Sequence, residues 1–86
     1  MKIPEPIRRK ANEIANRYSG FHFPGEIPGM YDELREIGIT VPCFSSAYTN
    51  NHEYEFNGET VENSYFRYSV YKPENSSRYD FTMYFS

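Results

Sequence analysis

Tyr65-Phe66-Arg67-Tyr68-Ser69-Val70-Tyr71-Lys72-Pro73-Glu74-Asn75-Ser76-Ser77-Arg78-Tyr79-Asp80-Phe81-Thr82-Met83-Tyr84-Phe85 reads as two β-strands joined by a loop. Side chains alternate between the two faces of a strand, so Tyr79, Phe81, Met83 and Phe85 share one face against Asp80, Thr82 and Tyr84 on the other. In the preceding strand, Tyr65 to Lys72, the apolar set Phe66, Tyr68 and Val70 is the better core face. Tyr65, Arg67 and Tyr71 then point outward, with Tyr84 beside them on the neighbouring strand. Residues 73–77 hold the Pro, Asn and Ser of a loop that returns the chain antiparallel.

Working toward the N-terminus, Asn57-Gly58 is a strong hairpin signal, because both central residues of a type I′ turn need positive φ. It follows a strand at His52 to Phe56, a break at Thr49-Asn50-Asn51 and a first strand within Ile39 to Tyr48. A two-residue turn there pairs Tyr54 with Val61 and sends Val61 inward. Continued unbroken, that alternation would also send Tyr65, Arg67 and Tyr71 inward, against the pattern above. A bulge or loop near Asn63-Ser64 removes the conflict.

Ahead of Gly38 the period changes from 2 to that of a helix. Ile7, Ala11, Ile14 and Tyr18 fall on one face of a helix over about residues 5 to 18, opposite Arg8, Arg9, Asn12, Glu13 and Asn16. Pro4 and Pro6 suit its first turn and Gly20 its end. Phe21 to Gly29, with Pro24, Gly25 and Pro28, is expected to be an irregular connection pinned to the core by its apolar members. Met30, Leu34 and Ile37 mark a second helix, with Asp32 and Glu33 in its first turn, stopped by Gly38. Ile39 is placed to pack back on Leu34. These elements predict an α+β fold, a single domain over residues 1–86, with two N-terminal helices packed on one face of an antiparallel sheet of about four strands. Met30, Leu34, Ile37 and Ile39 are expected to pack with Ile14, Tyr18, Phe81 and Phe85.

The composition agrees with such a core and narrows the function. One Leu, three Val and six Ile stand against nine Tyr and seven Phe, so the interior must be aromatic. A net charge of −3 argues against a protein built chiefly to grip nucleic acid, which needs a positive surface. The single cysteine, Cys43, provides no internal disulfide and suggests a reducing compartment. Without an apolar run of membrane-spanning length or an apolar leader, the expectation is a soluble, cytoplasmic protein.

The residues that carry chemistry elsewhere are sparse here. Cys43 with His22 or His52 is the one combination able to supply a thiol and a base, yet Cys43 follows Pro42 in a strand pattern with no adjacent cation to activate it. It reads as a small buried hydrophobe, and no catalytic residue is assigned. With His22, Cys43 and His52 standing singly, neither a metal site nor a cofactor is expected. Glu53, Glu55, Glu59 and Glu62 crowd the hairpin, where they solvate and protect an edge or dock a basic partner. Arg8, Arg9, Lys10 and Arg17 form a basic cluster diluted by Glu5 and Glu13.

Outward tyrosines are the most informative feature, since a rigid ring with a polar tip contributes contact area at low entropic cost. The expected partner-binding residues are Tyr65, Arg67, Tyr71, Tyr84, Glu53 and Glu55. They suit a small, acidic, non-enzymatic interaction protein that occupies the surface of a macromolecular partner, such as an inhibitor of the immunity or phage anti-defence kind. The partner is expected to be a protein. Homo-oligomerisation, a single-stranded nucleic-acid module using Tyr65, Arg67 and Tyr71, and a small Cys/His enzyme are the alternatives.

Overall fold

The computed structural model describes residues 3–41, 50–62 and 64–86. Helix α1 spans Glu5–Arg17, with Pro6 in the first turn where a missing N–H costs no helical bond. Gly20, at φ +103°, then turns the chain into strand β1, Gly20–His22. A short 3₁₀ turn, Pro24–Glu26, leads to α2, Pro28–Glu36. After Gly38 come β2 (Ile39–Thr40), β3 (Asn50–His52), β4 (Glu55–Phe56), β5 (Glu59–Thr60), β6 (Phe66–Tyr71) and β7 (Tyr79–Phe85). The fold is α+β, and every strand pairing is antiparallel.

The strands divide into two sheets. The larger runs β1-β7-β6-β3, and the smaller runs β2-β4-β5. The β6–β7 pair expected from the sequence is the centre of the larger sheet, with Phe66 opposite Phe85 and Val70 opposite Phe81. The four-strand expectation therefore holds in number, but the sheet draws in β1 and gives up the hairpin. Residues 52 to 56 are not one strand. Asn50–His52 pairs with β6, and after Glu53-Tyr54 the chain enters the smaller sheet as β4. Asn50 and Asn51, turn residues by composition, are held extended by their pairing with Tyr68 and Arg67. Of the first expected strand, Ile39–Thr40 is β2, and residues 42–49 lie outside the described residues, Cys43 among them.

The hairpin itself forms as expected. Asn57 and Gly58 have φ of 51° and 87°, and the Val61 N–H donates to the Tyr54 carbonyl at 2.9 Å. Val61 is buried, and so are Phe66, Tyr68 and Val70. The parity conflict disappears because β5 ends at Thr60 and β6 begins at Phe66 in the other sheet. Gly38, at φ +87°, ends α2 with its N–H on the Arg35 carbonyl at 3.0 Å. Its own carbonyl accepts from Asn57 N–H at 2.8 Å, and a Cβ there would meet Asn57 Oδ1 at 2.5 Å. Glycine thus serves both the helix stop and the seat of the turn.

One core joins the elements. Ala11, Ile14, Ala15, Met30 and Leu34 of the helices share it with Ile39, Tyr54, Val61 and the inner face of β6 and β7. Phe81 and Phe85 belong to it, and Tyr18 and Ile37 pack at its border. Aromatic contacts dominate its centre. Phe66 and Phe85 lie with ring centroids 4.8 Å apart, and Tyr54 meets Phe85 edge-on at 5.1 Å.

Three expectations need correction. Phe21 to Gly29 is not wholly irregular: Gly20–His22 pairs with Phe81 to Tyr79, a run too short to show a period but fixed by tertiary pairing. Of its apolar members Ile27 is buried, while Phe21 and Phe23 are exposed. Helix α2 starts two residues early because Pro28 and Gly29 belong to its first turn, which leaves Asp32 and Glu33 mid-helix. Asn12, read as a solvent-facing residue, is tied to β7. Its Oδ1 accepts from Phe85 N–H at 2.7 Å, and its Nδ2 donates to the Phe85 carbonyl at 3.0 Å.

Two stability measurements check this arrangement. Phe81→Ala empties a buried aromatic site and should cost about 3 to 5 kcal/mol in denaturant unfolding, enough to unfold much of a domain this small. Asn12→Ala strands both backbone groups of Phe85 and should cost about 2 to 4 kcal/mol, against about 0.5 kcal/mol or less for Asn16→Ala on the exposed side of α1.

Candidate interaction surface

The larger sheet has its inner face against the core and its outer face uncovered by any described element. Residues opposite each other in an antiparallel pair point to the same side, so the register lays out this outer face in rows. One row holds Phe21, Asp80 and Tyr71, from β1, β7 and β6. The next holds Thr82 and Ser69, and the next Tyr84 and Arg67. Tyr65 closes the far end, where its carbonyl accepts from Ser86 N–H at 3.0 Å.

Tyr71 is 64% exposed, Phe21 56%, Tyr84 49% and Tyr65 43%. Four large rings on one sheet face have no described partner layer. Aromatic residues and a charge meet at both ends: Arg67 opposite Tyr84, and Asp80 between Phe21 and Tyr71. The two charged rows, at Arg67 and at Tyr71 of β6, are separated by about 13 Å along an extended strand. Between them, Ser69 and Thr82 are small and keep the middle of the face low.

The structure brings Tyr65, Arg67, Tyr71 and Tyr84 onto this face, in agreement with strand parity. The two acidic residues separate. Glu53 follows β3 directly and is exposed near the Tyr65 end, whereas Glu55 belongs to β4 in the smaller sheet. Sequence reasoning missed Phe21 and Asp80 as members of the surface. Their grouping depends on β1 joining the sheet, for which three residues between a helix and a proline give no local signal. The outward parity of Asp80 was readable, but its aromatic neighbour was not.

The arginines of the basic cluster and His22 have partners within the chain. Arg8 and Arg9 both reach Glu5, at 2.5 and 3.6 Å, and Arg17 bonds Glu33 at 2.6 Å. His22 sits 3.2 Å from the Ser19 carbonyl and 3.6 Å from Glu26. Lys72 lies 5.6 Å from the Tyr79 ring centroid and Arg78 5.1 Å from that of Phe23, so both cations rest on aromatic faces. Among the described residues no group of three His, Cys, Asp or Glu is arranged to hold a metal, and no helix is long and apolar enough to cross a membrane. Comparison of the chain with protein-family models, curated proteins and solved structures finds no match.

Glu33 is the junction between the helices. It accepts from the Tyr18 hydroxyl at 2.5 Å as well as from Arg17. The Tyr18 hydrogen bond, then that of Arg17, holds its carboxyl below the ordinary range, and the same bond pushes the Tyr18 phenol up. A depressed carboxylate contributes stability above its unfolded pKa, about 4.3, and loses it as pH falls through the lower folded value. A raised phenol contributes below its unfolded pKa, about 10, and loses it as pH rises further. Glu33→Gln should therefore lower the melting temperature at pH 7, and the difference from wild type should shrink as pH falls below the ordinary carboxylate range and through the depressed folded value. Thermal melts of both proteins across that range check this.

Proposed function

We propose that the protein is a small non-enzymatic interaction protein that occupies the surface of a protein partner with the outer face of its larger sheet. The observation that carries this reading is the exposure of Phe21, Tyr65, Tyr71 and Tyr84 on one face with Arg67 and Asp80 between them. Tyrosine and arginine are the residues enriched where interfaces concentrate their energy, and a sheet presents them without a backbone ordering cost. A chain that carries a contact surface and little reactive chemistry suits an inhibitor or antagonist. The lone Cys43 supports action in a reducing compartment, the cytoplasm.

Nucleic acid is the less supported partner. Arg67 is the one cation within the paired register of this face among the described residues, and Lys72 and Arg78 rest against the rings of Tyr79 and Phe23. Tracking a phosphate backbone needs a row of such charges.

The test uses the wild type and the Tyr65→Ala/Tyr71→Ala variant side by side as baits in an extract of the native cell. A protein retained by the wild type and lost by the folded variant supports the reading, with each ring expected to be worth about 2 kcal/mol or more in the isolated complex. The same set of proteins retained by both contradicts it. The melting temperature should barely move, since the outward rings contribute little to the core.

A further inference from the structure

We infer that Phe21, Asp80 and Tyr71 form a slot for an arginine side chain of the protein partner. This deepens the interaction reading above and rests on it. Asp80 stands opposite Phe21 on one side and opposite Tyr71 on the other. Both rings are exposed, and Asp80 between them is half-buried as a residue. Asp80 makes no ion pair and no side-chain hydrogen bond with any described residue. The cations nearest in sequence, Lys72 and Arg78, lie against Tyr79 and Phe23. A carboxylate without an ion-pair partner, set between two exposed aromatic side chains, asks for a cation from outside.

The dimensions select the cation. Phe21 and Tyr71 stand two strand spacings apart, about 9.6 Å between backbones. A planar group stacked between two rings needs about 7 Å from ring to ring, at ordinary van der Waals separation on each side. A guanidinium is planar, stacks on aromatic faces, and presents two parallel N–H groups to a carboxylate lying at the floor. An ammonium matches the charge but cannot stack or form the paired bonds. The slot is one row of an open sheet rather than a cavity, so it suits an arginine whose main chain also lies across Thr82 and Ser69 toward Tyr84. Charge complementarity thus points to a basic segment of a protein, on a chain whose own net charge is −3.

The probe is a tetra-arginine peptide, acetylated and amidated at its ends, titrated into the isotopically labelled full chain at physiological salt, with the matching tetra-lysine peptide as comparison. Backbone amide shifts should centre on Phe21, Tyr71 and Asp80, and the arginine peptide should bind about threefold or more tightly than the lysine one. Asp80→Asn and Phe21→Ala, both on the exposed face, should each weaken it about fivefold or more with undisturbed spectra elsewhere. Shifts confined to Glu53–Glu62, equal binding of the two peptides, or an unchanged affinity in both variants would overturn the assignment. So would sedimentation of the wild type as a dimer that Asp80→Asn converts to monomer, since a second copy, through Arg67, would then fill the slot. The titration contains no cellular partner. Its failure leaves the interaction reading standing, and an unchanged capture by the Tyr65→Ala/Tyr71→Ala variant would remove that reading while leaving the peptide result in place.

Discussion

The bond pair between the Asn12 amide and the backbone of Phe85 determines how the two halves of the chain meet. β1 covers β7 only as far as Phe81, opposite Gly20. Beyond that point the backbone groups on the same side of β7 would be left without a strand partner inside a closely packed region, at a cost of about 1 to 3 kcal/mol each. Helix α1 replaces the missing strand. Asn12 satisfies both groups of Phe85, and Ser19 Oγ accepts from Met83 N–H at 3.3 Å while donating to the Ala15 carbonyl. Fully buried Ala11 and Ala15 let the helix come close enough for so short a side chain to reach.

This attachment explains which face of the sheet is free. With α1 fixed along the edge of β7, its apolar stripe lies over Phe81, Met83 and Phe85, and α2 is carried onto the same core through the Tyr18–Glu33–Arg17 junction. Gly29 leaves room for the Tyr18 hydroxyl, which a Cβ there would meet at 3.1 Å. Both helices are thereby held on the inner side. The outer side keeps its rings and its two opposed charges, Arg67 and Asp80, because neither helix crosses it.

Much of this was legible in the sequence, for reasons that can be stated residue by residue. The alternation in residues 65–85 gave the central strand pair and the outward tyrosines, because a long strand with one buried face must alternate. The Asn57-Gly58 turn was legible because few residues accept positive φ, and the break before Phe66 followed from two incompatible parities. What could not be read depends on contacts between distant segments. β1 and β3 are three-residue strands that exist only against β7 and β6. Asn12 looks like any polar helix residue until Phe85 is placed beside it. The candidate surface divides the same way: its β6 and β7 members follow from parity, whereas the pairing of Phe21 with Asp80 awaited the sheet order.

The dependence on α1 as a substitute strand is tested most directly by native-state hydrogen exchange. If Asn12 and Ser19 close the edge of β7, the Phe85 and Met83 amides exchange as slowly as the amides that pair β7 with β6, although no described strand lies beside them on that side. If those two amides exchange as fast as that of exposed Ser77 in the connecting loop, the edge is open and the account of how the helices are held is wrong.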